Sequence, residues 1–120
     1  MTPVYQEFLV ERKEIGDCVR ACTASILDIP ISEVPHFVKD TPGPDWYEVW
    51  EAYMREHGRP VTMFHIPWEK PPVFINHYLA SGMTERGVKH MVIMKNGILA
   101  HDPHPEGNGL TEIQCVWMVK

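Results

Sequence analysis

GVKHMVIMKNGILAHDPHP, residues 87 to 105, is the stretch that decides the fold. His90 to Met94 and Ile98 to Asp102 flank Asn96-Gly97, a strong hairpin signal. Register then decides which side chains meet. A three-residue loop, Lys95-Asn96-Gly97, with Gly97 left-handed in a bulge, pairs Met94 with Ile98, Ile93 with Leu99, Val92 with Ala100 and Met91 with His101. His90 then falls opposite Asp102 on the same face, at the roughly 4.5–5.5 Å between Cβ atoms of directly opposed residues. That is hydrogen-bonding range for an imidazole and a carboxylate. A two-residue loop would set Met91 against Asp102 and separate the pair. Taken singly, His90 reads as a half-exposed strand histidine and Asp102 as the start of an Asp-Pro turn. The register joins them.

Working outward, Ile113, Cys115, Trp117 and Val119 alternate with polar or thinner residues, which predicts a last strand with one buried face. Upstream, Val61 to Ile66 and Val73 to Asn76 are strand candidates. Pro67 to Pro72 reads as a loop and Ser81 to Gly87 as an exposed linker. The N-terminal half is helical. Cys18 to Asp28 carries helix formers, with Cys18, Cys22 and Ile26 on one face, and Pro30 stops it. Ser32 is placed to cap a short turn bearing Val34, Phe37 and Val38. Thr41 to Pro44 is a loop. Asp45, with Glu48 three residues on, forms a capping-box pattern ahead of a Trp46, Val49, Trp50, Tyr53 stripe, and Gly58 fits the C-terminal end. Residues 1–16 read as an extended arm. Helices first and antiparallel strands second means α+β, with the helices packed on one sheet.

The chain has 120 residues, about one domain spanning 1–120, and can bury roughly two-thirds of its unfolded surface. A hydrophobic fraction of 44% against 22% charged argues against disorder. No apolar run is long enough to span a bilayer, and the N-terminus lacks the basic start and apolar stretch of a signal peptide. These features predict no membrane partner and a cytoplasmic setting. Eleven Lys and Arg against sixteen Asp and Glu give a net charge of -5, which disfavours a grip on nucleic-acid phosphates. The tryptophans therefore read as core, not as a base-stacking platform. Three cysteines leave one over from any disulfide, which fits free thiols.

One of those thiols is placed for chemistry. A helix N-terminus and a nearby imidazolium both favour a thiolate, moving a cysteine pKa from about 8.5 to about 3.5–7.5. Cys18 follows Gly16-Asp17 and opens its helix. Cys22 lies one turn further in and is better placed to pack. A cysteine alone is more often a small buried apolar residue. Cys18, His90 and Asp102 together make a nucleophile, a base and its orienter.

GDCVRACTAS, GVKHMVIM and HDPHP, in that order, resemble the papain-like cysteine peptidases. The nearest flavour is the leader-cleaving bacteriocin-processing peptidases and their small bacterial and phage relatives. The likeness covers about ten residues around Cys18 and about twenty from Val88 to Asn108. It implies a papain-like α+β fold with Cys18 as nucleophile, His90 as base and Asp102 as orienter. It further implies a protein or peptide substrate, and a phage-related role in processing or counter-defence. The family places a glutamine about six residues before the cysteine, to help bind the oxyanion. Here that position is Arg12, and the only upstream glutamine is Gln6, which reads either as the oxyanion donor, returned to the site by an intervening loop, or as a polar residue of the arm. At 120 residues the chain has room for only thin substrate-binding walls.

The expected activity is a thiol-dependent amide hydrolysis through a thioester, with no cofactor. Peptide cleavage, side-chain deamidation and acyl transfer share that intermediate. The rival class is a binding or interaction module that keeps the fold without turnover. A metal site built from His101, Asp102, His104 and His90 is disfavoured, because adjacent strand residues point to opposite faces. Cys18 and Cys22 have three residues between them, so the thioredoxin-type motif is absent. His104 to Leu110 reads as a turn-rich loop able to rim the cleft.

Overall fold

The computed structural model describes residues 1–66 and 70–120. Part of the Pro67 to Pro72 loop therefore lies outside the described residues. Among the described residues, three helices, α1 (Cys18–Leu27), α2 (Phe37–Asp40) and α3 (Trp46–Glu56), precede five strands. These are β1 (Val61–His65), β2 (His77–Met83), β3 (Lys89–Lys95), β4 (Ile98–His101) and β5 (Glu112–Val119). All ladders are antiparallel, in the order β1-β5-β2-β3-β4. The helices pack on the sheet, so the protein is α+β.

The main core joins Val19, Cys22 and Ile26 of α1, Phe37 of α2 and Trp50 and Met54 of α3 to Leu79, Met91, Ile93, Trp117 and Val119 of the sheet. Trp50 is fully buried and donates from its indole to Thr23 Oγ1 at 2.9 Å, which satisfies its one polar atom. The opposite face of the sheet has its own smaller core of Tyr78, Ala80, Val92 and Val116, covered by Ile66, Phe74 and Leu110. β5 is therefore buried through Val116 as well as through Trp117, not on one face alone.

Several expectations change. The segment 73–76 is not a strand, and the linker expected at 81–87 begins as the end of β2, the central strand. Ala80, Ser81 and Gly82 are weak strand formers held in place by neighbours on both sides. Asp45 precedes α3 without a side-chain capping bond, so the capping box is not closed. The buried face of that helix centres on Trp50 and Met54, while Val49 is exposed. Its end does close as expected: Gly58 N–H donates to Arg55 and Arg59 N–H to Met54, the paired bonds of a Schellman motif.

The hairpin differs most. Lys95 pairs with Ile98, so the loop has two residues, not three. Asn96 (φ 52°) and Gly97 (φ 78°) are both left-handed, as a type I′ turn requires, and that turn matches the strand twist. Uncorrected, this register would place Asp102 opposite Met91. A bulge corrects it: Met94 pairs with Leu99 but Ile93 with His101, leaving Ala100 as an extra residue in β4. Continued past His101, the shifted register sets Asp102 across from Val92, on the alternation shared by His90. The pair meets diagonally, within reach of long side chains.

Candidate active site

The chemistry-bearing residues converge where α1 begins, β3 begins and β4 ends. Cys18 is the first residue of α1 and half-buried. His90 and Asp102 are buried, and His90 Nε2 meets Asp102 Oδ1 at 2.6 Å. That contact leaves Nδ1 as the ring nitrogen available to a thiol. Burial opposes charge on His90. Hydrogen bonding to Asp102 and the nearness of the Cys18 thiol outweigh it, raising the His90 pKa to about 9. Burial likewise opposes charge on Asp102, yet the His90 bond and two backbone N–H donors lower it to about 2.

Those donors were not foreseen. His104 N–H bonds Asp102 Oδ1 and Gly109 N–H bonds Oδ2, each at 2.9 Å. The turn-rich loop after β4 thus wraps the carboxylate. Gly107 passes so close that a Cβ there would run into the carboxylate. The legible signal was an Asp-Pro start followed by glycines, the pattern of a turn closed on an Asp side chain.

Asp17 is a second residue the sequence reading passed over. It is 1% exposed, yet its side chain does not cap α1. Instead it accepts from the N–H groups of Glu7 and Phe8, at 3.1 and 3.0 Å, and pairs with Arg20. Arg20 also holds Glu7 and the Val34 carbonyl. The N-terminal arm is thereby fastened beside Cys18, and its extended run is broken by a 3-10 turn at Val10–Arg12.

The arm brings Gln6 to the groove that holds Cys18 and His90. Gln6 Nε2 donates to the Phe8 carbonyl at 3.0 Å, and Oε1 finds no partner among the described residues. Cys22 is fully buried, donates to the Met91 carbonyl, and has its pKa pushed well up by burial. His101 and His104 are separately engaged: His101 Nε2 meets the Val4 carbonyl, and His104 Nδ1 accepts from Glu106 N–H. The three cysteines are free thiols.

The groove has a volume of about 790 Å3. Val19, Val38, Trp46, Met91 and Trp117 supply apolar walls, and Glu11, Arg86 and His104 line it beside Gln6, Cys18 and His90. Among the described residues, no helix is long and apolar enough to cross a membrane. No protein-family model, curated protein or solved structure matches the chain.

Proposed function

We propose that this protein is a papain-like thiol hydrolase acting on amide bonds of a protein or peptide. The observation that carries the reading is the buried His90–Asp102 bond, 2.6 Å long, with Cys18 at a helix start against the same imidazole. An imidazolium beside a thiol favours the thiolate. Cys18 attacks the carbonyl carbon, and the C=O electrons move to oxygen. The first N–H groups of a helix have no intrahelical partner, so Cys18 N–H is one donor for that oxyanion. His90 then protonates the leaving nitrogen as the C–N bond breaks, leaving a thioester. Water, deprotonated by His90, releases the acid and restores the thiol. Asp102 holds the ring so that Nδ1 faces the sulfur and stabilises the imidazolium.

Gln6 is the second oxyanion donor in this reading, through the amide hydrogen not given to Phe8. The engagement of Gln6 Nε2 with the Phe8 carbonyl favours the rival, a papain-fold binding module without turnover, a role that suits phage counter-defence. A deamidase or acyltransferase would use the same three residues. An unbiased peptide-substrate screen with Cys18→Ala and Cys22→Ala separates these classes. Hydrolysis lost in Cys18→Ala, kept in Cys22→Ala and indifferent to EDTA supports the thiol hydrolase. Stable complexes without turnover support the binding module.

A further inference from the structure

Beside the proposed catalytic residues, a carboxylate, a guanidinium and an imidazole meet in a way the reaction does not use. Glu11, on the N-terminal arm, sends Oε1 to 3.1 Å from Arg86 Nε and Oε2 to 3.3 Å from His104 Nε2. All three line the groove with Cys18 and His90. The His104 and His90 ring centres are 6.5 Å apart. The Arg86 contact is loose: its distance is that of an ion pair, but Arg86 Nε makes no hydrogen bond of proper geometry among the described residues. Glu11 itself sits on an exposed arm segment, between Val10 and the left-handed Lys13.

We propose that Arg86 and His104 form a carboxylate-binding subsite, which Glu11 fills in the free protein and an acidic group of the substrate fills during binding. This rests on the thiol-hydrolase reading and names its substrate class. A guanidinium matches a carboxylate by two parallel N–H bonds, which the off-angle Nε contact to Glu11 does not achieve. A substrate carboxylate therefore has a better bond to gain than the one it displaces. Chain residues advance about 3.3–3.6 Å each, so a group at His104 lies one or two residues from the bond cleaved at His90. The carboxylate comes from an acidic side chain or from a chain end.

The test labels Cys18 with iodoacetamide and compares its alkylation by N-iodoacetylglycine and by N-iodoacetylglycinamide, whose C-terminal group lies one residue from the reacting carbon, with the modified residue located by mass spectrometry. In each, the thiolate displaces iodide and forms a C–S bond; only N-iodoacetylglycine carries a carboxylate. Glu11→Gln is expected to raise the rate ratio of the acid to the amide about two- to fivefold, the scale of a partly exposed ion pair. Arg86→Gln should lower the ratio by a similar factor, with Arg86→Lys between. Glu112→Gln removes a charge from the same groove without touching Arg86 or His104, and should move the ratio less than Glu11→Gln does. In the Glu11→Gln protein, protection of Cys18 by acetyl-Ala-Glu-Ala-amide assigns the carboxylate to a side chain, and protection by acetyl-Ala-Ala with a free C-terminus assigns it to a chain end. Selective iodoacetamide labelling of Cys18 with a ratio indifferent to Arg86 and Glu11, or protection by neither peptide, overturns the subsite and leaves the hydrolase reading standing. Failure of iodoacetamide itself to select Cys18 overturns the hydrolase reading and the subsite with it.

Discussion

Asp102 concentrates the physics of the site at the residue scale. Its carboxylate takes one imidazole and two backbone N–H groups, so three partners hold it ionised. Replacing it with Ala removes the orienter and leaves two loop N–H groups without an acceptor. Asp102→Asn keeps one oxygen for the ring and should retain more activity than Asp102→Ala, as kcat in a peptide assay would record. The pH dependence follows from the shifts. His90 rises from 6.5 to about 9, so its contribution to stability is full below about 6.5 and is lost as pH rises through about 9. Asp102 falls from 3.8 to about 2, so its contribution is full above about 4 and is lost as pH falls toward 2. Denaturant unfolding of wild type and Asp102→Ala should therefore differ most near pH 5–6 and by less above about pH 9.5, where only the pH-independent loss at the His104 and Gly109 N–H groups remains. An equal difference at every pH would contradict the charged pair.

At the scale of elements, the hairpin and its following loop form one device. The two-residue turn, the bulge at Ala100 and the wrap of residues 103–109 together deliver Asp102 to His90. Gly107→Ala should displace that wrap with the strands intact. Circular dichroism should stay unchanged while the His90 pKa, followed by NMR, drops toward its ordinary value. The other device is the arm. Asp17→Ala leaves the Glu7 and Phe8 N–H groups without their acceptor and should cost about 1–3 kcal/mol, the scale of orphaned buried polar groups. Limited proteolysis should then cut within residues 1–16 before the sheet. The sequence made the hairpin legible through Asn96-Gly97, but not its register. A one-residue bulge leaves no mark in the alternation of Ile98, Leu99 and Ala100, since these three residues are apolar whichever face they take. β2 escaped because its central residues are small and owe their conformation to β3 and β5 on either side.

For the whole molecule, one layer of helices and one sheet with a second small core place the groove at their shared edge. The helix-then-strand order carried this α+β layout in the sequence. The second core was hidden because Val116 stands where simple alternation puts a surface residue, and Phe74 and Leu110 cover it from segments without regular structure. Trp50 ties the helices to the sheet, packing edge-on to Trp117 at 5.5 Å between ring centres. Trp50→Ala should destabilise the fold by about 3–5 kcal/mol in denaturant unfolding. The candidate residues Cys18, His90 and Asp102, which the fold brings together, were legible from helix start, hairpin and chain order. Glu11, Asp17 and Arg86 were not, because their contacts with the N-terminal arm span nine or more residues of sequence and only folding creates them.

The central claim is that the fold gives Cys18 a paired, reactive thiol. The rate of iodoacetamide alkylation as a function of pH, resolved by residue with mass spectrometry, tests it most directly. The account predicts that Cys18 reacts selectively at about pH 5.5–6, well below the ordinary cysteine titration near 8.5, and that His90→Ala removes this low-pH reactivity. Cys18 reacting only with the pH dependence of an ordinary thiol, in wild type and His90→Ala alike, would contradict it.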